Sequence, residues 1–221
     1  MSWIRLKSAD GHVLQAWQAQ PAGKPRGCIV VLQEIFGVTN HIRNVCDRFA
    51  AQGWVAVAPA LYDRVGRGHE LPYGEQGIAQ GRALKAGVTE TQALADVEAA
   101  VDYLRPKGKV AVVGFCWGGT LAWLSAARLQ GVSAAVAYYG TNIYDKVREQ
   151  PRVPVLLHFG DHDKHILPEH VSAISKTWPQ VPLYRYDADH GFNCDERPAY
   201  HRASAQLAGT RTEQFLESHL C

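Results

Sequence analysis

The sequence has 221 residues, of which 47% are hydrophobic and 20% charged, with a formal net charge of +2. A chain of this size can bury a core as one domain over residues 1–221 without disulfides or a structural metal. Lysine and arginine are spread along it rather than clustered, which speaks against a nucleic-acid partner and for a small-molecule one.

In chain order, residues 1–7 lack the apolar segment and small-residue cleavage site of a secretory signal. Residues 3–7 and 13–18 flank the turn dipeptide Asp10-Gly11 and predict an antiparallel hairpin. The apolar run at 27–32 predicts a strand buried on both faces, and it is far too short to span a bilayer. Asn40 is the expected cap of a helix in which Ile42, Val45, Cys46, Phe49 and Ala50 recur at helical spacing, with Gly53 at its stop. A second buried strand is expected at 54–58. Residues 60–87 are glycine-rich and without a clean period, so they read as a long irregular loop. That loop carries Arg64, Arg67, His69, Tyr73, Arg82 and Lys85, and it is a candidate wall of an active site with a cation for an anionic substrate.

Thr89-Glu90-Thr91-Gln92 has the form of a capping box, followed by the stripe Leu94, Val97, Val101 and Leu104 and the breakers Pro106 and Gly108. Strands are expected at 109–115, 134–139, 153–159 and 183–186, with helices at 120–129, 169–178 and 198–220. Strands alternating with helices predict an α/β fold with a doubly wound, mostly parallel sheet behind the N-terminal antiparallel hairpin. The five cysteines stand at irregular positions with no C-x-x-C pair, so neither a disulfide framework nor a zinc ribbon is indicated. Free thiols fit a reducing compartment, and a soluble, cytoplasmic monomer or small homo-oligomer without membrane association is expected.

Gly114-Phe115-Cys116-Trp117-Gly118-Gly119 follows a predicted strand and opens a helix, the context of the G-x-S-x-G nucleophile elbow with cysteine in the serine position. A helix N-terminus beneath Cys116 favours its thiolate, and the Trp117 amide is a candidate oxyanion donor. The elbow calls for an acid and then a histidine, each after a later strand. Gly160-Asp161-His162-Asp163 and Asp189-His190-Gly191-Phe192 meet that requirement, with His190 the candidate base. Asp163 and Asp161 compete as its acid, and Asp163 is favoured. His158, His162 and His165 with Asp161 and Asp163 form a dense cluster, but it straddles a strand end and a loop and is not read as a metal site. Gln33-Glu34-Ile35-Phe36-Gly37 stands where this architecture supplies a second oxyanion amide, here Ile35. The charge of Glu34 opposes a nearby thiolate and makes it a candidate switch on thiol ionisation.

Q-E-I-F-G, G-F-C-W-G-G, G-x-x-D ending at Asp163 and H-G-F at His190, in this order and spacing, resemble the dienelactone hydrolase (carboxymethylenebutenolidase) family of α/β-hydrolases. The resemblance implies opening of a dienelactone ring to maleylacetate in the breakdown of aromatic compounds, through an acyl-enzyme on the cysteine and without cofactor or metal. It implies a triad of Cys116, His190 and Asp163, with Glu34 pairing with the neutral thiol at rest. The family holds the substrate carboxylate with two arginines, one of them four residues after the histidine. That position here is Cys194, and the nearest arginine is Arg197. Arg64, Arg67, Arg82 and Arg197, with Phe36 and Tyr73, are therefore the candidate substrate contacts. The alternatives are an esterase or thioesterase on another small acyl group and, in a different class, a redox-sensing thiol at Cys116 with Cys194 nearby.

Overall fold

The computed structural model describes residues 1–221. Strands β1 (Ser2–Lys7) and β2 (Val13–Ala19) pair antiparallel across the Asp10-Gly11 turn, as expected. Then come β3 (Cys28–Leu32), α1 (Asn40–Ala51) and β4 (Val55–Pro59). The cap of α1 is Thr39 rather than Asn40: the Thr39 hydroxyl accepts the Ile42 amide, and Asn40 is already in the helix.

Residues 60–87 depart from the irregular loop expected. A 3₁₀ turn at Leu61–Arg64 precedes a 12-residue helix, α2 (Glu75–Ala86). This helix hides from periodicity because its contact face is built of glycine. Gly77 and Gly81 are its buried positions, and a Cβ at either would collide with the Pro72 or Ile35 carbonyl. The helix therefore rests on the 33–37 segment by backbone contact, with no apolar stripe to reveal it.

Beyond it lie α3 (Glu90–Leu104), opened by the Thr89–Gln92 capping box, then β5 (Val110–Phe115), α4 (Trp117–Arg128) and β6 (Val132–Tyr138). The chain ends with β7 (Val155–Gly160), α5 (Pro168–Thr177), β8 (Leu183–Tyr186) and α6 (Arg202–Leu220). The strands form one sheet in the order β1-β2-β4-β3-β5-β6-β7-β8, parallel from β4 to β8. Helices α3 and α4 cover one face and α1 and α6 the other, so β3, β4 and β5 are buried along their whole length. The loops leaving the C-terminal ends of β3, β5, β7 and β8 carry Glu34, Cys116, Asp163 and His190, the edge where parallel sheets bind ligands. No helix is long and apolar enough to cross a membrane.

Candidate active site

Cys116 occupies the turn between β5 and α4 at φ 54 and ψ −114, a conformation that L-residues rarely adopt. The glycines around it make the turn possible. A Cβ on Gly114 would collide with the Gly118 carbonyl, one on Gly118 with the Leu32 carbonyl, and one on Gly119 with the Tyr138 carbonyl. The Cys116 amide donates to Tyr138 (3.0 Å) and the Gly118 amide to Gln33 (3.1 Å), which tie the turn to β6 and to the segment after β3. The Trp117 amide is at the first position of α4, where no intrahelical acceptor exists. The Ile35 amide donates to no protein group.

His190 meets this turn from the loop after β8. Its Nδ1 lies 2.7 Å from Asp163 Oδ2, and both side chains are almost wholly buried. Asp163 is itself held by the His165 and Ile166 amides, at 2.7 and 3.1 Å from Oδ1. Asp161 faces outward and pairs with Arg185 at 2.5 Å. Of the two carboxylates, Asp163 is the one within hydrogen-bond distance of His190. Burial opposes a charge on His190, but the neighbouring Cys116 and the Asp163 hydrogen bond outweigh it and lift the ring to about 10.

The other histidines disperse. His158 is buried in β7 between Tyr186 and Thr212, where burial pushes it down to about 3. His162 pairs with Asp187 at the surface, and His165 stands edge-on to His190 at 5.1 Å.

Glu34 is 2% exposed, and its carboxylate accepts from Arg197 Nη1 at 2.9 Å. The hydrogen-bond partner of Glu34 is therefore Arg197 and not the Cys116 thiol, which corrects the resting pairing that the resemblance implied. A buried guanidinium needs a carboxylate more than a neutral thiol does. Arg197 reaches Glu34 because successive turns fold residues 191–200 back on themselves. Gly191, at φ 82, leaves the space that the guanidinium occupies. The guanidinium also lies 5.5 Å over the ring of Phe36, which packs edge-on to Tyr73 at 4.8 Å.

Two of the loop arginines are occupied elsewhere. Arg64 is buried in ion pairs with Asp96 (2.7 Å) and Asp10 (2.6 Å), which brace α3 against the hairpin. Arg67 donates to the Val13 carbonyl. Arg82 is different: it projects from α2, is exposed, and its charge is felt at His165 beside His190. Arg82 and Arg197 are thus the candidate arginines brought to this edge.

Three residues at the site were given no role of their own by the sequence reading. Tyr139 follows β6 at φ 39, is fully buried, and stands edge-on to His190 at 5.0 Å. Its hydroxyl has no protein partner, and burial together with the charges of Glu34 and Cys194 pushes it well above the usual phenol range. A tyrosine ending the strand beside the elbow was the available signal. Gln33 and Tyr62 are the others, and both contact the 34–36 segment. Cys194 is buried, and burial and then Glu34 push its thiol up to about 12, which makes it a poor partner for thiol exchange at Cys116.

The family model described as the dienelactone hydrolase family matches residues 14–220. A carboxymethylenebutenolidase of Pseudomonas putida is 34% identical, with 96% of this chain and 94% of that protein covered. An Escherichia coli K12 protein provisionally given the same name is also 34% identical, covering 96% of this chain and 84% of its own. Among solved structures, a Klebsiella pneumoniae protein provisionally named a dienelactone hydrolase superposes with a TM-score of 0.81 at 31% identity, covering 96% and 97% of the two chains. With its eight-stranded α/β sheet and this match over nearly its whole length, the chain is a carboxylic ester hydrolase belonging to the dienelactone hydrolase family.

Proposed function

We propose that the chain opens a small carboxylate-bearing lactone through a thioester on Cys116, with His190 as base and acid and Asp163 as its orienting group. The observation that carries this reading is a strained cysteine at a helix N-terminus, next to a histidine whose far nitrogen is 2.7 Å from a buried carboxylate. The Cys116 sulfur attacks the lactone carbonyl, and the oxyanion forms between the Ile35 and Trp117 amides. Collapse breaks the ring C–O bond, and the His190 imidazolium gives its proton to the leaving oxygen, which stays tethered to the acyl group. Water then adds to the thioester carbon, losing a proton to His190, and the C–S bond breaks to return the thiolate and release the carboxylic acid.

In this reading Glu34 is the electrostatic control on the thiol, and Arg197 offsets its charge. Substitution Glu34→Gln is expected to raise the rate at which iodoacetamide alkylates Cys116 without substrate by roughly tenfold, since one nearby charge in a partly desolvated site is worth about 1–2 kcal/mol. An unchanged alkylation rate removes Glu34 from control of the thiol.

A second reading, an esterase or thioesterase on an uncharged acyl group, draws on Glu34 already occupying Arg197, which leaves the exposed Arg82 as the open cation at the site. Steady-state rates on a dienelactone beside p-nitrophenyl acetate, with Cys116→Ala as blank, separate the two. Fast ring opening with a poor rate on the acetate supports the lactone. The reverse keeps the thioester and moves the substrate to neutral esters.

A further inference from the structure

We propose that Gln33 and Tyr62 are positioning residues that brace the Ile35 peptide as an oxyanion donor, an inference that rests on the thioester reading of the site. The peptide joining Glu34 to Ile35 carries the Glu34 carbonyl on one edge and the Ile35 N–H on the other, and in a trans peptide these point in opposite directions. Gln33 is fully buried, and its Nε2 donates to the Glu34 carbonyl at 3.3 Å. Its Oε1 accepts the Leu61 amide at 3.2 Å, so the side chain cannot turn without losing both bonds. Tethering the carbonyl on one side leaves the Ile35 N–H directed to the other, where it meets no protein acceptor.

Tyr62 fixes the next peptide. Its hydroxyl is 3.0 Å from the Ile35 carbonyl and 3.1 Å from the Gly81 carbonyl, with one proton to share between them. The two side chains thus hold both peptides that flank the Ile35 Cα. The same two residues also contact the turn that carries the second donor. The Tyr62 ring stacks on Trp117 at 5.5 Å and 16°, and the Gln33 carbonyl accepts the Gly118 amide at 3.1 Å. Neither residue reaches the thiol or His190 by a hydrogen bond. Their influence is on where the amides point.

This separates two reactions of one cysteine. Alkylation by iodoacetamide needs the thiol and its histidine but no oxyanion hole, whereas ester turnover and capture of a trifluoromethyl ketone as a tetrahedral adduct need all three. Losing one oxyanion donor outright costs about 10²–10³ in kcat, so a donor that is present but loosely aimed is expected to cost roughly tenfold. Tyr62→Phe keeps the stacked ring and deletes the hydroxyl; Gln33→Leu removes the other tether. For p-nitrophenyl acetate each variant is expected to lose about tenfold in kcat with KM within about twofold of native. The inhibition constant of the trifluoromethyl ketone rises by the same factor, and iodoacetamide alkylation stays within about twofold. Should Gln33→Leu fail to fold, Tyr62→Phe alone decides. Native turnover in Tyr62→Phe, or alkylation falling in step with turnover, overturns the brace. Hydrolysis surviving in Cys116→Ala would instead overturn the thioester reading, and the brace with it.

Discussion

Replacing Cys116 with Ala is expected to abolish ester hydrolysis, and replacing it with Ser to lower kcat/KM by about a hundredfold or more. The alanine result follows from losing the sulfur on which the proposed thioester forms. The serine result is the more informative. An alcohol is a far weaker acid and a weaker nucleophile than a thiol, so it depends more heavily on a base to take its proton. Steady-state rates on dienelactone and on p-nitrophenyl acetate, with the fold checked by circular dichroism, test both variants. A serine variant at near-native rate would contradict a thiolate mechanism and point to general-base catalysis as in serine hydrolases.

The second large effect is expected at Asp163. Asp163→Asn keeps the shape of the side chain but presents a different hydrogen-bonding pattern to His190 Nδ1, and the comparable change in a serine protease triad costs about 10⁴ in kcat. A loss of about 10³ or more is expected here, against less than about twofold for Asp161→Asn, because Asp161 pairs with an exposed arginine away from His190. The pH profile supplies a separate signature. Asp163 is among the groups that lift His190 to about 10 against its burial. Activity requiring the imidazolium as proton donor is therefore present below that value and lost as pH rises through it. Without the carboxylate the folded pKa falls, so the alkaline limb of kcat/KM in Asp163→Asn moves to lower pH. If Asp161→Asn is the damaging change and Asp163→Asn is mild, the assignment of the acid is reversed.

How much of this was legible in the sequence depends on whether a residue's role is local. The elbow was readable because its constraints act within six residues: the glycines that let Cys116 adopt φ 54 are the same glycines that mark the motif. The buried strands and the capping box at Thr89 were readable for the same reason. Helix α2 was not, since a face of Gly77 and Gly81 carries no hydrophobic period. Arg64 looked like a substrate cation because its true partner, Asp96, lies 32 residues away on α3. Gln33, Tyr62 and Tyr139 draw their meaning from contacts between strands and loops that no window along the chain includes. Arg197 stood in the sequence as the arginine nearest to position 194. Only the fold-back at Gly191 places it against Glu34.

The backbone at Cys116 has an implication for engineering. A non-glycine residue at φ 54 and ψ −114 costs on the order of 1–3 kcal/mol, and glycine at the same place largely escapes that cost. A library sorted for heat resistance alone would therefore reward glycine at 116 and enrich well-folded molecules that lack the proposed nucleophile. Any campaign to toughen this scaffold has to sort on turnover at every round, because its most durable descendants are expected among the inert ones.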